Sequence, residues 1–506
     1  MIKIYKSLKT TKNMKSQELK AIKIVPESLK KRVLLINPKR KNVEFSIPHN
    51  GLAILSTILR ERGHEVLVVD YVLLHGDIPV SFFLRNFKPD IVGISSYSIN
   101  FSEVSKTISE VNRFNKNLII LVGGPCATLY PKQLLENEKV DYVAVGEAEL
   151  VIIDLVEKAK KLKKAERIQS REFVNLDDVP FPDFKSFYKS EYIRNYPIMT
   201  SRGCPFKCSF CTVFSVSNRK WRWRTPQNCI EELENAKKSL SSNIRVVVCD
   251  DCPTTNIDRF IQFLELYRKK IKLDLRIVNT RADCINDHLL ALLKECGCPE
   301  VWLGVEHAHP EVYKLVNKGE SLEKIKEAAR LVKKYGLKLG LSFIIGLPED
   351  NYERVKACIK FANETRADYC GWNLVLPYED TEVGRWFKQN GVVGNTLNYD
   401  SRITESFTYD EPCAESPDFP KEERLKAYYR CIFRTPTYPC NLRNIGRAFQ
   451  GAIKYNILYD FFYWLPRGFI MNMQNKKEKY EKILRFLRRE GVISTIRRVL
   501  YNLQAK

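Results

Sequence analysis

Residues 198–211 read Ile-Met-Thr-Ser-Arg-Gly-Cys-Pro-Phe-Lys-Cys-Ser-Phe-Cys. A short apolar strand, Ile198–Ser201, runs directly into a loop carrying Cys204, Cys208 and Cys211 at CxxxCxxC spacing. Thiolates gathered on one loop are the usual holders of iron–sulfur clusters. A tetrahedral zinc site needs a fourth ligand, and no His or Cys follows within a dozen residues of Cys211. The loop is therefore read as three ligands of a 4Fe-4S cluster with one iron left open.

Toward the C-terminus, strands are expected near Arg245–Cys249, Asp274–Asn279, Val301–Val305, Lys338–Ile345 and Tyr369–Leu376. Helical stretches at 226–240, 256–270, 286–295, 309–317, 321–335 and 350–364 fall between them. With the strand before the cysteines this makes six βα units, a partial (β/α)6 barrel over residues 196–395. Groups at the carboxyl ends of barrel strands face the mouth, where ligands bind. An open iron there can chelate the amino and carboxylate groups of S-adenosylmethionine. An electron passed into the sulfonium then releases a 5′-deoxyadenosyl radical.

Toward the N-terminus, Val33-Leu34-Leu35-Ile36 is a continuous apolar run, as a strand buried on both faces requires. Strands at Glu65–Val69, Ile91–Ser95, Leu118–Val122 and Val140–Val145 follow, with helical stretches between. This alternation predicts a doubly wound, Rossmann-like parallel sheet over 32–165, with its ligand at the carboxyl ends of the strands. Those ends carry Asn37, Ser95, Gly123, Gly124, Gly146 and Glu147. Residues 166–195, with two prolines and two aspartates over Leu176–Pro182, read as a linker. Residues 1–31 read as a basic arm and 396–506 as a helical C-terminal region.

The chain has 506 residues, 44% hydrophobic and 28% charged, which suits a multidomain α/β globular protein. No stretch approaches the roughly 20 apolar residues of a membrane span. The N-terminus has no signal-peptide core, so the expected location is the cytoplasm. Fifteen scattered cysteines in so large a chain point to reduced thiols and metal ligation. The net charge of +23 is concentrated in 1–42 and 475–498. It suits nucleic acid, an anionic membrane or an anionic substrate, and equally a Lys-rich proteome.

Residues 32–395 resemble the cobalamin-dependent branch of the radical S-adenosylmethionine superfamily. Phe210, just before the third cysteine, belongs to that pattern. So do Pro89–Ser95, Gly123-Gly124-Pro125, Val140–Glu147, Asp250-Asp251, Gly304-Val305-Glu306, Lys318-Gly319 and Phe343–Glu349. The resemblance implies cobalamin at the ends of the first sheet, on Asn37, Ser95, Gly123, Gly124, Gly146 and Glu147. It implies S-adenosylmethionine in the barrel. Main-chain groups near Phe210 and Ile345 would hold the adenine, and Asn279 and Glu306 the ribose hydroxyls or the methionine amine. Asp250 and Asp251 would do likewise or touch substrate, unless they only cap the helix that follows.

Departures from the family pattern are informative. No DxHxxG, whose His ligates cobalt from below, occurs here. His49, in the loop after the first strand, is read as a loop residue in preference to a cobalt ligand. Where relatives often have Glu-Ser-Gly this chain has Glu306-His307-Ala308, and His307 is read as structural in preference to an acid–base group. Cys249, Cys252, Cys296, Cys298, Cys413, Cys431 and Cys440 form no tight ligand group in sequence, so no second cluster is expected.

The aromatic run Tyr455–Trp464 and the basic amphipathic stretch 475–502 read as a helical lid on the barrel, in preference to a peripheral membrane contact. The resemblance implies radical methylation of an unactivated carbon of a metabolite or lipid, with a low-potential electron donor as partner. The rival is a radical cyclase or oxidase of the anaerobic porphyrin cyclase type. A tRNA methylthiotransferase would suit the charge, but residues 32–165 hold only Cys126 and the tail reads helical. Nucleic acid is accordingly not expected as a partner.

Overall fold

The structure is a computed structural model that describes residues 24–465 except 40–45, 75–77, 171–172, 241–243, 394–411, 438–441 and 463. By internal packing the chain falls into two compact units. The first is 1–40, 44–201 and 221–244; the second is 41–43, 202–220 and 245–506. The amphipathic stretch 475–502 lies outside the described residues.

The first unit alternates β1 (Arg32–Asn37), α1 (Asn50–Arg62), β2 (Glu65–Asp70), α2 (Val80–Phe87), β3 (Ile91–Ser95), α3 (Phe101–Phe114) and β4 (Ile119–Gly123). It continues through α4 (Pro125–Leu129), α5 (Pro131–Asn137), β5 (Tyr142–Val145), α6 (Ile152–Lys158) and β6 (Glu166–Gln169). Beyond these come β7 (Asn195–Ile198) and α7 (Pro226–Ser239). The sheet order is β2-β1-β3-β4-β5-β6, with every pairing parallel. β1 is buried from Val33 to Asn37, as its unbroken apolar run requires. Strand β6 falls inside the segment read as a linker. It is polar and lies on the sheet edge, so no apolar run announced it. The order reverses at β1, with β2 on one side and β3 on the other. That reversal opens a crevice beyond the ends of β1 and β3, where Asn37 and Ser95 lie.

The second unit contains β8 (Arg245–Val248), α8 (Ile257–Lys270), β9 (Leu275–Ile277), α9 (Asp287–Glu295), β10 (Glu300–Glu306), α10 (Pro310–Val316) and α11 (Leu322–Lys334). It ends with β11 (Lys338–Ile345), α12 (Tyr352–Glu364), β12 (Tyr369–Leu374), α13 (Glu382–Asn390), α14 (Lys421–Arg434) and α15 (Leu442–Lys454). β8 pairs with β9, and β10, β11 and β12 form a second parallel run. A parallel bridge from Thr280 to Leu303 joins the two. Five strands thus follow one another in sequence order, each returning through helix, as an open barrel requires. Helix α14 is fastened to β12: Trp372 Nε1 donates to Thr435 Oγ1 at 2.9 Å and Cys370 N to Pro436 O at 2.6 Å. Part of the aromatic run is core, because Phe461 and Trp464 are buried against Phe433 of α14. Tyr459 and Phe462 remain exposed.

One device sets register in both units. An aspartate just before a strand accepts the N–H of a residue at the start of its neighbour. Asp90 takes Arg32 N at 2.8 Å, Asp141 takes Ile120 N at 2.8 Å and Asp368 takes Leu339 N at 2.7 Å. Asp141 is buried and also accepts Leu162 N and Lys161 Nζ. Asp141→Ala leaves two main-chain N–H groups without their acceptor. It should destabilise the protein by about 2 kcal/mol, read as a lowered urea midpoint, whereas an unchanged midpoint would show that the latch carries no stability.

Candidate functional site

The cysteine loop is built on main-chain constraints. Gly203 lies at φ +85°, and a Cβ there would come within 2.1 Å of Lys220 O, so only glycine lets the chain turn into the loop. Its N–H donates to Asp251 Oδ2 at 2.8 Å. Cys211 N closes a turn onto Cys208 O at 3.1 Å. Ser209 N donates to Val316 O and Ser209 O accepts from Val383 N, at 2.9 and 3.1 Å. The Phe210 ring packs with Val316, Leu347, Val375 and Phe387 in one apolar cluster.

Cys204, Cys208 and Cys211 are half-buried. Burial raises Cys208 above the ordinary thiol range and pushes Cys211 up to about 11. A hydrogen bond with Cys252 holds Cys204 protonated still more firmly. Metal uptake by this loop therefore releases protons. Among the described residues no three His, Cys, Asp or Glu side chains converge as ligands of a single ion must. A four-iron cube asks for something different, one thiolate on each of three separate irons. Three thiols from one loop are that donor set.

Beside the loop is a network of buried charges. Lys318 Nζ lies 3.0 Å from Glu306 Oε1 and 3.4 Å from Glu320 Oε2, and it also donates to Gly304 O. Burial disfavours the lysine's charge, but Glu306 and Glu320 outweigh burial and hold it protonated. Its charge in turn favours the thiolate of Cys208. A Cβ on Gly304 would lie 2.2 Å from Glu306 Oε1 and 2.6 Å from Lys318 Nζ, so the bare glycine makes room for the pair. Arg281 donates to Lys318 O at 3.0 Å, and its guanidinium lies 3.6 Å from the centre of the Phe206 ring inside the cysteine loop.

The sequence-derived residues of this unit separate into engaged and open ones. Asp251 is committed to Gly203. The helix after the acidic pair is capped by Asn256, which accepts Arg259 N at 3.0 Å, so neither aspartate is its cap. Asn279 is exposed and donates to Asp250 O at 3.3 Å. Glu306 sits at φ +63°, a backbone conformation that turns its side chain onto Lys318. Ile345 is buried and its carbonyl accepts from Val375 N. His307 is fully buried, away from any mouth. Arg281, Glu320 and the contact of Cys252 with Cys204 were not legible in the sequence, since nothing in their spacing marks them.

In the first unit, Asn37 Nδ2 donates to Asp70 Oδ1 at 2.8 Å. Asn37 Oδ1 is buried at the switch-point crevice with no hydrogen-bond partner among the described residues, an acceptor that suits an amide donor of a ligand. Gly124 (φ +96°) is required by its own neighbours, for a Cβ would lie 2.8 Å from Ser96 O. At Gly123 and Gly146 a Cβ would meet nothing among the described residues closer than 3.7 Å. The Glu147 carboxylate is taken up by Arg222 at 2.5 and 3.1 Å. Ser95 Oγ lies 2.8 Å from His49 Nε2. These side chains and open strand ends fit an amide-rimmed cofactor.

The comparisons divide the chain in the same order, with residues 198–201 and 221–244 of the first unit falling inside the second match. The B12 binding domain model matches residues 39–156 and the Radical SAM superfamily model matches 198–362. The chain is a B12-binding radical SAM enzyme. Membership brings S-adenosylmethionine, a 4Fe-4S cluster and cobalamin. An uncharacterized methyltransferase of Pyrococcus horikoshii is 28% identical over 424 residues, 78% of this chain and 90% of that one. The anaerobic magnesium-protoporphyrin IX monomethyl ester cyclase of Rubrivivax gelatinosus is 28% identical over 496 residues, 88% and 86% of the two. Among solved structures, the radical S-adenosylmethionine methyltransferase TsrM of Kitasatospora setae, with cobalamin and a 4Fe-4S cluster bound, superposes with TM-score 0.60 at 18% identity. That match covers 84% of this chain and 96% of TsrM. OxsB with aqua-cobalamin gives TM-score 0.59 at 17% identity, over 86% and 72%. At such identities the likeness is one of fold.

His49 bears on how this enzyme holds cobalamin. Leu52 N donates to Nδ1 at 3.1 Å, capping α1, so the ring proton is on Nε2, and Nε2 faces Ser95 Oγ. Neither nitrogen is left to ligate cobalt. Cob(II)alamin bound to the protein should show no nitrogen splitting in its electron paramagnetic resonance spectrum that His49→Ala removes. A splitting lost in that variant would overturn the assignment.

Proposed function

We propose that this enzyme transfers a methyl group from S-adenosylmethionine to an unactivated carbon of a small molecule, a metabolite or a lipid. The observation that carries the reading is the presence of both family domains in one chain that covers 90% of a relative named as a methyltransferase. When bound, the cluster supplies an electron that opens S-adenosylmethionine to a 5′-deoxyadenosyl radical, and cobalamin carries the methyl group.

The chain's own residues supply position and charge. Cys204, Cys208 and Cys211 hold the cluster. Lys318 holds the Glu306 carboxylate in one place, and we assign Glu306 and Asn279 to the ribose hydroxyls or methionine amine. Phe210 and Ile345 line the adenine, Phe210 within an apolar cluster that excludes water. Asp250, buried at the end of β8, helps to bound the same site. In the first unit, Asn37, Ser95, Gly123, Gly124, Gly146 and Glu147 receive cobalamin. A low-potential electron donor completes the system. The exposed Tyr459 and Phe462, ahead of the basic stretch 475–498, suit a peripheral contact with an anionic membrane if the substrate is a lipid. No helix among the described residues is long and apolar enough to cross a membrane.

The test uses protein purified without oxygen and reconstituted with iron, sulfide and cobalamin. It is reduced and given S-adenosylmethionine labelled in the methyl group. The proposal predicts 5′-deoxyadenosine and S-adenosylhomocysteine together, with the label appearing on the protein's cobalamin. Deoxyadenosine alone, with cobalamin bound and unlabelled, would replace methyl transfer by the cyclase or oxidase reading.

A further inference from the structure

Arg424 lies in α14, 62 residues beyond the segment matched by the radical SAM model. It is the largest fully buried side chain among the described residues, at 1% exposure. A buried guanidinium is costly unless its donors are satisfied, and here they reach three acceptors. Nε donates to Phe419 O at 2.7 Å, Nη1 to Gly346 O at 3.1 Å and Nη2 to Ser416 Oγ at 3.1 Å. The Phe387 and Phe419 rings flank it, with centroids 5.3 and 5.1 Å from the guanidinium carbon.

The residue it grips follows Ile345 directly. Gly346 is at φ +85°, and a Cβ there would lie 2.2 Å from Arg424 Nη1. Glycine is thus demanded by the arginine as well as by the turn. From the other side Gly346 N donates to Asp350 Oδ2 at 2.7 Å. The second oxygen of Asp350 is 3.1 Å from His307 Nε2. Asp350 and Cys358 favour a charged imidazole against the cost of burial. His309 N, however, donates to Nδ1 at 3.1 Å, and a protonated ring has no lone pair there. The ring is therefore neutral and donates from Nε2 to Asp350. This leaves Asp350 as the buried anion that faces the Arg424 cation, and it partly offsets the desolvation of the arginine. His307 follows Glu306 directly, and Ala308 N is fixed on Cys358 Sγ at 3.2 Å. One chain of contacts runs from α14 through Gly346 and Asp350 to the residue after Glu306.

We propose that Arg424 is a positioning residue for S-adenosylmethionine: from outside the family-matched segment it fixes the Gly346–Asp350 turn and, through Asp350 and His307, the backbone that carries Glu306. The proposal rests on the assignment of Ile345 and Glu306 to that ligand. The C-terminal region is then a working part of the barrel's ligand site in addition to a covering over it.

The experiment measures S-adenosylmethionine affinity by equilibrium dialysis on reconstituted holoenzyme. Iron content, cobalamin content and melting temperature are followed in parallel. Arg424→Met should retain both cofactors and weaken affinity about tenfold. Arg424→Lys, which keeps the charge and loses the fork, should fall between Met and the parent. Arg424→Ala should regain affinity on addition of millimolar guanidinium, but not with equal sodium chloride or urea. A residue that merely supports the fold would lower the melting temperature or cofactor content and leave the affinity of the folded fraction unchanged, and that result overturns the proposal. So does native affinity in all three variants, or failure of all three to hold the cluster. Glu306→Gln serves as the separate check. If it weakens binding and the Arg424 variants do not, only the positioning role fails. If it binds normally, the Glu306 assignment fails, and an Arg424 effect stands through Gly346 alone.

Discussion

The arrangement of the barrel unit depends on main-chain groups left over where parallel strands end. Within a parallel sheet each N–H and C=O has a partner on the neighbouring strand, but just past the last paired residue it has none. Buried groups of this kind must be satisfied. This chain satisfies them with charged side chains, Asp251 on Gly203 N, Asp350 on Gly346 N and Arg424 on Gly346 O, and two more hold carbonyls away from strand ends, Lys318 on Gly304 O within β10 and Arg281 on Lys318 O between α10 and α11. Each is a charge-assisted hydrogen bond, the stronger kind. Each fixes a segment that borders the cysteine loop or the strand ends assigned to S-adenosylmethionine. The polar groups beside the cysteine loop are therefore among those that complete the barrel.

The same principle explains which glycines matter. Gly203, Gly304 and Gly346 each occupy a place where a Cβ would strike a backbone oxygen or the head of a charged side chain. In the first unit Gly123 and Gly146 differ, for the space beside them is not crowded by any described residue. Glycines of the first kind make the internal bonds possible, and those of the second kind leave a surface on which a large cofactor can lie.

Much of this was legible in the sequence. The continuous run Val33–Ile36 read as a doubly buried strand and is one, and the cysteine spacing after Ser201 marked a loop that carries three half-buried thiols. The helices of the barrel fell within a residue or two of expectation because amphipathic period and capping residues agree at Asn286, Ser321 and Asn351. Strand β6 was missed because it is short, polar and at the sheet edge. The roles of Asp251, Arg281 and Arg424 were hidden for another reason. Each acts on a main-chain group distant in sequence, up to 78 residues away for Arg424 and Gly346, and hydrophobic patterning carries no record of such a bond. His307, read as structural, is fully buried against Asp350, a partner that its spacing from Glu306 did not show.

The measurement that tests the account most directly is the iron and sulfide content of anaerobically reconstituted protein in which Cys204, Cys208, Cys211 and Cys252 are replaced by Ala one at a time. Cys252 lies within hydrogen-bond reach of Cys204, so it is the thiol best placed to compete for iron. About four irons per chain are expected in the parent and in Cys252→Ala, and loss of the cluster in each of the other three. Iron lost with Cys252, or retained without one of the loop cysteines, would contradict it.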